Sequence, residues 1–245
     1  MSRILILIYG LIAYLAFFAV ILYAIGFAAN FIVPKGIDHG TQVSLAETLI
    51  VNIGILLIFA IQHTIMARPA FKIWFTKIIP PAAERSTFVL IASIILAVLF
   101  WQWRPLPEII WQAESQTFRI LLWGLSACGW IIVFYSSFLI DHFDLFGLRQ
   151  VYLNYKGVDY SHHPFSLKSL YRFVRHPLML GFLIAFWSTP DMTQGHLLFN
   201  LVITIYIIFG VKIEERDLVK THGKDYINYQ KSTSMLIPFP KSNQS

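Results

Sequence analysis

Residues 170–187 read LYRFVRHPLMLGFLIAFW. An arginine, a histidine and a proline stand directly before an apolar run. Whether that run enters a membrane decides the fold. Around it, 57% of the 245 residues are hydrophobic, 13% are charged and the mean hydropathy is +0.64. A soluble domain carries about 25% charged residues. The composition therefore points to an all-α, polytopic integral membrane protein.

Five longer apolar segments occupy roughly 4–33, 46–66, 86–103, 118–140 and 196–213. Each is close to the roughly 20 residues that a spanning helix needs. The segment after Arg175-His176-Pro177, residues 178–190, has only 13. At 1.5 Å per residue it covers about 20 Å of a hydrocarbon core about 30 Å thick. Thr189-Pro190-Asp191 and Gly195 mark a tight turn behind it. Residues 178–213 thus read as a helical hairpin, giving five to six transmembrane helices in all. An amphipathic tail follows from 212 onward.

Charge distribution fixes an orientation. With the N-terminus cytoplasmic and six spans, sixteen of the nineteen lysines and arginines fall on the cytoplasmic side. Only Lys35, Arg104 and Arg119 remain outside. The positive-inside rule favours this arrangement, with both termini cytoplasmic; the family resemblance drawn below implies a bacterial inner membrane. A single membrane domain over 1–245 is expected. It has four N-terminal helices in 1–140, a cytoplasmic loop at 141–176, and a cofactor-binding hairpin and tail in 177–240. The aromatic and lysine-bearing stretch FKIWFTKIIPP (71–81) reads as interfacial. The N-terminal run is too long for a signal-peptide core. The formal charge is +6, but no basic block interleaved with aromatics suggests nucleic acid. Cys128, the single cysteine, reads as a core residue.

The hairpin brings Arg175 and His176 near Glu214 and Glu215, although 38 to 40 residues separate them. Taken alone, Arg175-His176 is a membrane anchor and Glu-Glu-Arg a solvated helix face. Together they form a helix N-terminus, a guanidinium, an imidazole and two carboxylates at one pocket mouth. Pro177 suits the first helical position. The open N–H groups of that turn, with Arg175, suit a carboxylate. Glu214 and Glu215 suit an amine or ribose hydroxyls, and Gly181 would let a bulky group approach the backbone. S-adenosyl-L-methionine carries all these groups. Asp141-His142 ends a span and pairs a carboxylate with an imidazole. Gln62-His63 lies near the end of the second helix, where a helix-packing polar pair is the plainer reading. His162-His163 reads as loop, and no metal site is expected.

These pieces resemble a known family. RHPLMLG (175–181), EERDLVKTHGKDYINY (214–229) and LIPF (236–239) are similar to the C-terminal half of the isoprenylcysteine carboxyl methyltransferase and phospholipid methyltransferase superfamily. Arg175, His176, Pro177, Gly181, Glu214, Glu215, Gly223, Tyr226 and Tyr229 match its signature, and Met179 stands where the family has tyrosine. QHTIMARPAFK (62–72), ERSTFVL (84–90), FWQWRPLP (100–107) and HFDLFGLRQVYL (142–153) resemble the bacterial methanethiol S-methyltransferase branch. The resemblance covers about 45–240. It implies S-adenosylmethionine-dependent methylation of a small volatile thiol, methanethiol, to dimethyl sulfide within sulfur metabolism. Arg175, His176, Pro177, Gly181, Glu214, Glu215, Tyr226 and Tyr229 are then the cofactor-binding set. A thiol reacts as thiolate, so His142 is the first candidate base, oriented by Asp141 or Asp144, and His176 the second. Gln62, His63 and Trp103, with Trp101, become candidate substrate walls. Two other readings stand beside this one: a membrane methyltransferase acting on a lipid or prenylcysteine carboxylate, and a non-enzymatic membrane protein.

Overall fold

The computed structural model describes residues 2–161 and 167–238. His162-His163 and Phe239 lie outside the described residues. The helices are α1 (Arg3–Ala29), α2 (Leu45–Ala67), α3 (Pro69–Phe75), α4 (Pro81–Gln102), α5 (Gln116–Ile140), α6 (His142–Leu145), α7 (Leu148–Lys156), α8 (Pro177–Trp187), α9 (Gln194–His222) and α10 (Lys224–Ser232). Strands β1 (Ile109–Gln112) and β2 (Asp191–Thr193) pair as a two-stranded sheet. The fold is all-α in class. Helices α1, α2, α4, α5 and α9 are each long and apolar enough to cross a membrane, and α8 is a shorter apolar helix. The chain is a multi-pass membrane protein.

Local chemistry sets the helix ends. The Ser2 and Ser44 hydroxyls cap α1 and α2 by accepting from Leu5 N and Glu47 N. Pro69, Pro81 and Pro177 occupy first-turn positions, where a missing N–H costs nothing. The first span stops at Ala29 rather than 33, because Asn30 turns left-handed at φ 52° and caps the helix. Outward faces carry bare Ile4, Leu11, Leu15, Ile50, Ile58 and Phe209, as lipid-facing helices do. Cys128 is exposed on α5 rather than in the core, because its neighbours Ser126 and Gly129 take the packed face.

The chain divides into two compact units. The first comprises Met1–Ile110, Asp141–Ser161 and Met192–Phe199. In it, α4 packs on α1 and α2, and α7 packs on α1. Gly10 permits that last contact, since a Cβ there would sit 2.5 Å from Val151 Cγ2. Polar groups at one end of the bundle are matched closely. Asn52, wholly buried in α2, donates to Arg104 O (2.8 Å) and accepts from Arg104 N (2.9 Å). Asp38 accepts from Thr193 Oγ1 (2.6 Å) and Asn30 Nδ2 (2.5 Å). In the interfacial stretch, Ile73, Trp74 and Ile78 are exposed.

The second unit comprises Trp111–Ile140, His162–Asp191 and Asn200–Ser245. Its spine is α5 against α8. Gly129 and Gly181 meet there. A Cβ on Gly181 would lie 2.8 Å from Gly129 O and 2.9 Å from Val133 N, and one on Gly129 2.5 Å from Ala185 N. Two glycines let the backbones touch, as small residues do between membrane helices. The eleven residues of α8 span about 16 Å. Behind them, Asp191 reaches Arg119 in the first turn of α5. Helix α9 then returns, with Asn200 Nδ2 donating to Phe186 O and Trp187 Nε1 to Thr204 Oγ1.

Candidate active site

In the second unit, the turn of Ser169–Arg172 feeds the chain into α8, and the segment just before Pro177 is held by the tail. Val174 forms a parallel bridge with Ser234. Arg175 N donates to Ser234 O (2.9 Å) and His176 N to Met235 O (3.1 Å). The two side chains of the RHP motif are thereby fixed from the backbone outward.

Arg175 and Glu215 form a bidentate fork. Nε donates to Oε1 (2.6 Å) and Nη2 to Oε2 (3.1 Å). Nη1 is directed at the main-chain oxygens of Gln230 (3.1 Å) and Thr233. Glu215 also accepts from Gln230 Nε2 (2.9 Å), meets His176 Nε2 at 3.1 Å and lies within 3.5 Å of the Tyr226 hydroxyl. Arg175, His176 and Glu215 are each 8% exposed. Burying charge is costly, and the cost is offset only where the pair is well formed and its spare hydrogen-bonding capacity is used. Here both conditions hold.

Glu214 faces the other way. It is exposed, and its Oε2 stands 3.7 Å from His176 Nδ1. The imidazole therefore lies between two carboxylates, one buried and one open. Tyr226 and Tyr229 pack edge to face, and the Tyr229 hydroxyl donates to Tyr171 O. Burial pushes Tyr229 up to about 12, with Glu215 adding to it and Arg175 opposing. Burial raises Tyr171 and Tyr226 further. All three phenols stay protonated at neutral pH. Gly181 is filled around by α5, which is reason enough for a glycine at that position. Met179 packs against Ile207, Val211 and Leu236.

The first unit holds the remaining candidates. Gln62 and His63 border a cluster of Met66, Phe88 and Val89, against which Phe17 and Phe146 pack. The His63 ring is 4.7 Å from Phe88, and Gln62 Nε2 is 3.0 Å from Met66 Sδ. His142, 3% exposed, lies 4.8 Å from Phe146, with Nε2 at 2.9 Å from the Tyr14 hydroxyl. Two sequence motifs 79 residues apart thus converge on one aromatic cluster. Asp141 caps α6 by accepting from Asp144 N (3.0 Å), while Asp144 is engaged by Arg149 and Tyr160. Burial lowers the proton affinity of His142, and the Asp141 charge only partly restores it. Trp103 does not join this group. It is fully buried at the far end of α4, about 22 Å along the axis from Phe88 at 1.5 Å per residue. Its Nε1 donates to Ile37 O (2.9 Å). Trp101 is exposed.

Sequence reasoning missed Tyr14 and Gln230. Tyr14 is a polar group inside an apolar span, which is itself a signal. Gln230 follows Tyr226 by one helical turn, on the face that meets Glu215. Among the described residues, no group of three or more His, Cys, Asp or Glu side chains is placed to hold a metal.

Five spanning helices and a buried Arg-His-Glu centre at the foot of a helical hairpin define a multi-pass membrane protein with an enzyme-like site. Over 237 residues the chain is 49% identical to methanethiol S-methyltransferase 2 of Bradyrhizobium diazoefficiens, covering 97% of this chain and 91% of that protein. It is 48% identical over 240 residues to the methanethiol S-methyltransferase of Mycobacterium tuberculosis, covering 98% of each. A more distant likeness, 27% over 186 residues, is to nurim of Sus scrofa, covering 71% of this chain and 70% of that protein. No family model and no solved structure matches the chain. The chain belongs to the methanethiol S-methyltransferase family, a family of methyl-transferring enzymes.

Proposed function

We propose that the protein transfers the methyl group of S-adenosyl-L-methionine to methanethiol, forming dimethyl sulfide. Its place is the cytoplasmic membrane of a bacterium, with both termini and the Arg175–Glu215 centre on the cytoplasmic side. The distribution of lysine and arginine supports that orientation. One observation carries the cofactor reading: beside a carboxylate already spent on Arg175, Glu214 stands open next to a buried imidazole. The donor set fits the cofactor's charges. Glu214 is suited to its amine or ribose hydroxyls. The first-turn N–H groups of α8, which have no intrahelical partners, are suited to its carboxylate.

When bound, the cofactor supplies an electrophilic methyl on a positively charged sulfur. The chain's own residues do the rest. Arg175 and Glu215 lock the tail to the start of α8, so that His176 and Glu214 are presented in one geometry. Tyr226 and Tyr229, neutral and buried, wall the Glu215 carboxylate from water. The acceptor must arrive as a thiolate. His142, neutral by burial and set in an aromatic surround, is suited to receive its proton. Gln62, His63 and the Phe88 cluster are suited to a small apolar thiol that partitions from the bilayer.

The test uses purified protein in lipid nanodiscs with S-adenosylmethionine and methanethiol, the headspace being assayed for dimethyl sulfide. Product is expected. Cofactor binding without product would remove methanethiol as the acceptor. Glu214→Gln, an exposed and isosteric change, is expected to weaken cofactor binding at least ten-fold in a titration. Unchanged affinity would remove Glu214 from the site.

A further inference from the structure

The geometry points to Tyr14 as a second proton-handling group: the Tyr14 hydroxyl and His142 form a relay that takes the proton of the acceptor thiol. This rests on the methyl transfer to a thiol proposed above. Three observations converge on the pair. The Tyr14 hydroxyl lies 2.9 Å from His142 Nε2, across 128 residues of sequence. The imidazole is 3% exposed, with Phe143 and Phe146 edge-on to it. The residue before it, Asp141, holds φ 126° and ψ 93°, a conformation that costs a non-glycine residue of order 1–3 kcal/mol and persists only where the surroundings enforce it. That conformation sets the ring of His142 against α1.

A comparison within α1 separates this pair from ordinary packing. Tyr9, also on α1, donates to Thr87 Oγ1 at 2.9 Å. That hydroxyl pair satisfies polar groups but contains no base. Tyr14 ends on Nε2 of His142, which accepts a proton in the Nδ1–H tautomer.

Burial favours the neutral form of His142, and in its Nδ1–H tautomer Nε2 offers its lone pair to the phenol O–H. The step then balances. The thiol S–H bond breaks and its proton passes to the Tyr14 oxygen, while the tyrosine's own proton moves to Nε2. The sulfur's freed electron pair makes the new carbon–sulfur bond. The old methyl bond breaks with its pair staying on the departing sulfur. The imidazolium returns its proton to water.

The experiment compares wild type, Tyr14→Phe, His142→Gln and Tyr9→Phe in nanodiscs, each first titrated with S-adenosylmethionine. Production of dimethyl sulfide by wild type establishes the underlying reaction, and its absence would end that reading whatever the variants do. With product established, Tyr14→Phe and His142→Gln are each expected to lower kcat for methanethiol about 100-fold with cofactor affinity unchanged. Tyr9→Phe is expected to keep wild-type turnover. Thiophenol, already ionised at neutral pH, is expected to show less than a three-fold loss in both relay variants, since no proton remains to be moved. Wild-type turnover of methanethiol by Tyr14→Phe would overturn the relay. So would an equal loss with methanethiol and thiophenol.

Discussion

The second unit contains two bidentate arginine–carboxylate forks with similar distances. Arg119 grips Asp191 at 2.7 and 2.6 Å, and Arg175 grips Glu215 at 2.6 and 3.1 Å. Their surroundings differ. The first is half-buried, and there Asp191 also accepts from the side chain of Gln112. The second is buried and drawn into contacts with His176, Gln230, Thr233 and Tyr226. Geometry alone therefore does not rank an ion pair. The half-buried fork staples a turn. The buried fork determines whether a whole segment of tail stays in place.

The largest effect that sharpens this contrast is Glu215→Ala. It leaves the Arg175 guanidinium buried without its counter-charge, at a cost of about 3–5 kcal/mol. Thermal unfolding in nanodiscs should show a drop several times that of Asp191→Ala, and the cofactor titration should show no binding. Equal drops would dissolve the contrast. Next comes Gly181→Ala, between the two forks. The new methyl meets backbone on α5 at 2.8 and 2.9 Å, which cannot give as a side chain would, so α5 and α8 must part at a cost of about 1–3 kcal/mol. Its Tm should fall between those of Glu215→Ala and Asp191→Ala.

Tyr229→Phe removes a single hydrogen bond to Tyr171 O and should cost about 1 kcal/mol. Hydrogen exchange at 171–176 and 229–235 should quicken together, because this contact and the main-chain bonds of Arg175 and His176 join the two segments. Asp191→Asn should be smallest, and about 1 M salt should erase its effect on Tm. The hydrogen bond from Arg119 holds the Asp191 carboxyl below its ordinary range. Its contribution is accordingly present above the ordinary aspartate range and is lost as the pH falls through the depressed folded value. The Tm gap between wild type and Asp191→Asn should therefore close on acidification and stay constant from pH 6 upward.

Much of this was legible in the sequence, and the exceptions share a cause. The five long spans could be read because twenty consecutive apolar residues leave little else to do. The second matched to one residue at each end, 46–66 against Leu45–Ala67, since Ser44 caps one end and Pro69 closes the other. The approach of Arg175 and His176 to Glu214 and Glu215 followed from hairpin topology alone. What the sequence withheld was long-range main-chain chemistry. The Val174–Ser234 bridge and the carbonyls around Arg175 leave no trace in side-chain identity. Tyr14 met His142 across 128 residues, and periodicity does not reach that far. Trp103, by contrast, looked like a pocket wall only because an aromatic ring at membrane depth suits an apolar thiol that partitions from the bilayer. In space it anchors the loop at Ile37.

Arg175 has one more consequence. Beyond Glu215, it is satisfied by the carbonyl oxygens of Gln230 and Thr233, atoms that every amino acid possesses. The arginine reads the path of the tail and is blind to its spelling. Most side chains along 230–235 are thus free to vary without touching the guanidinium, provided the length of chain is kept. A single inserted or deleted residue between Glu215 and Ser234 would shift the carbonyls out of register and strip the centre of its support, with every motif residue still in place.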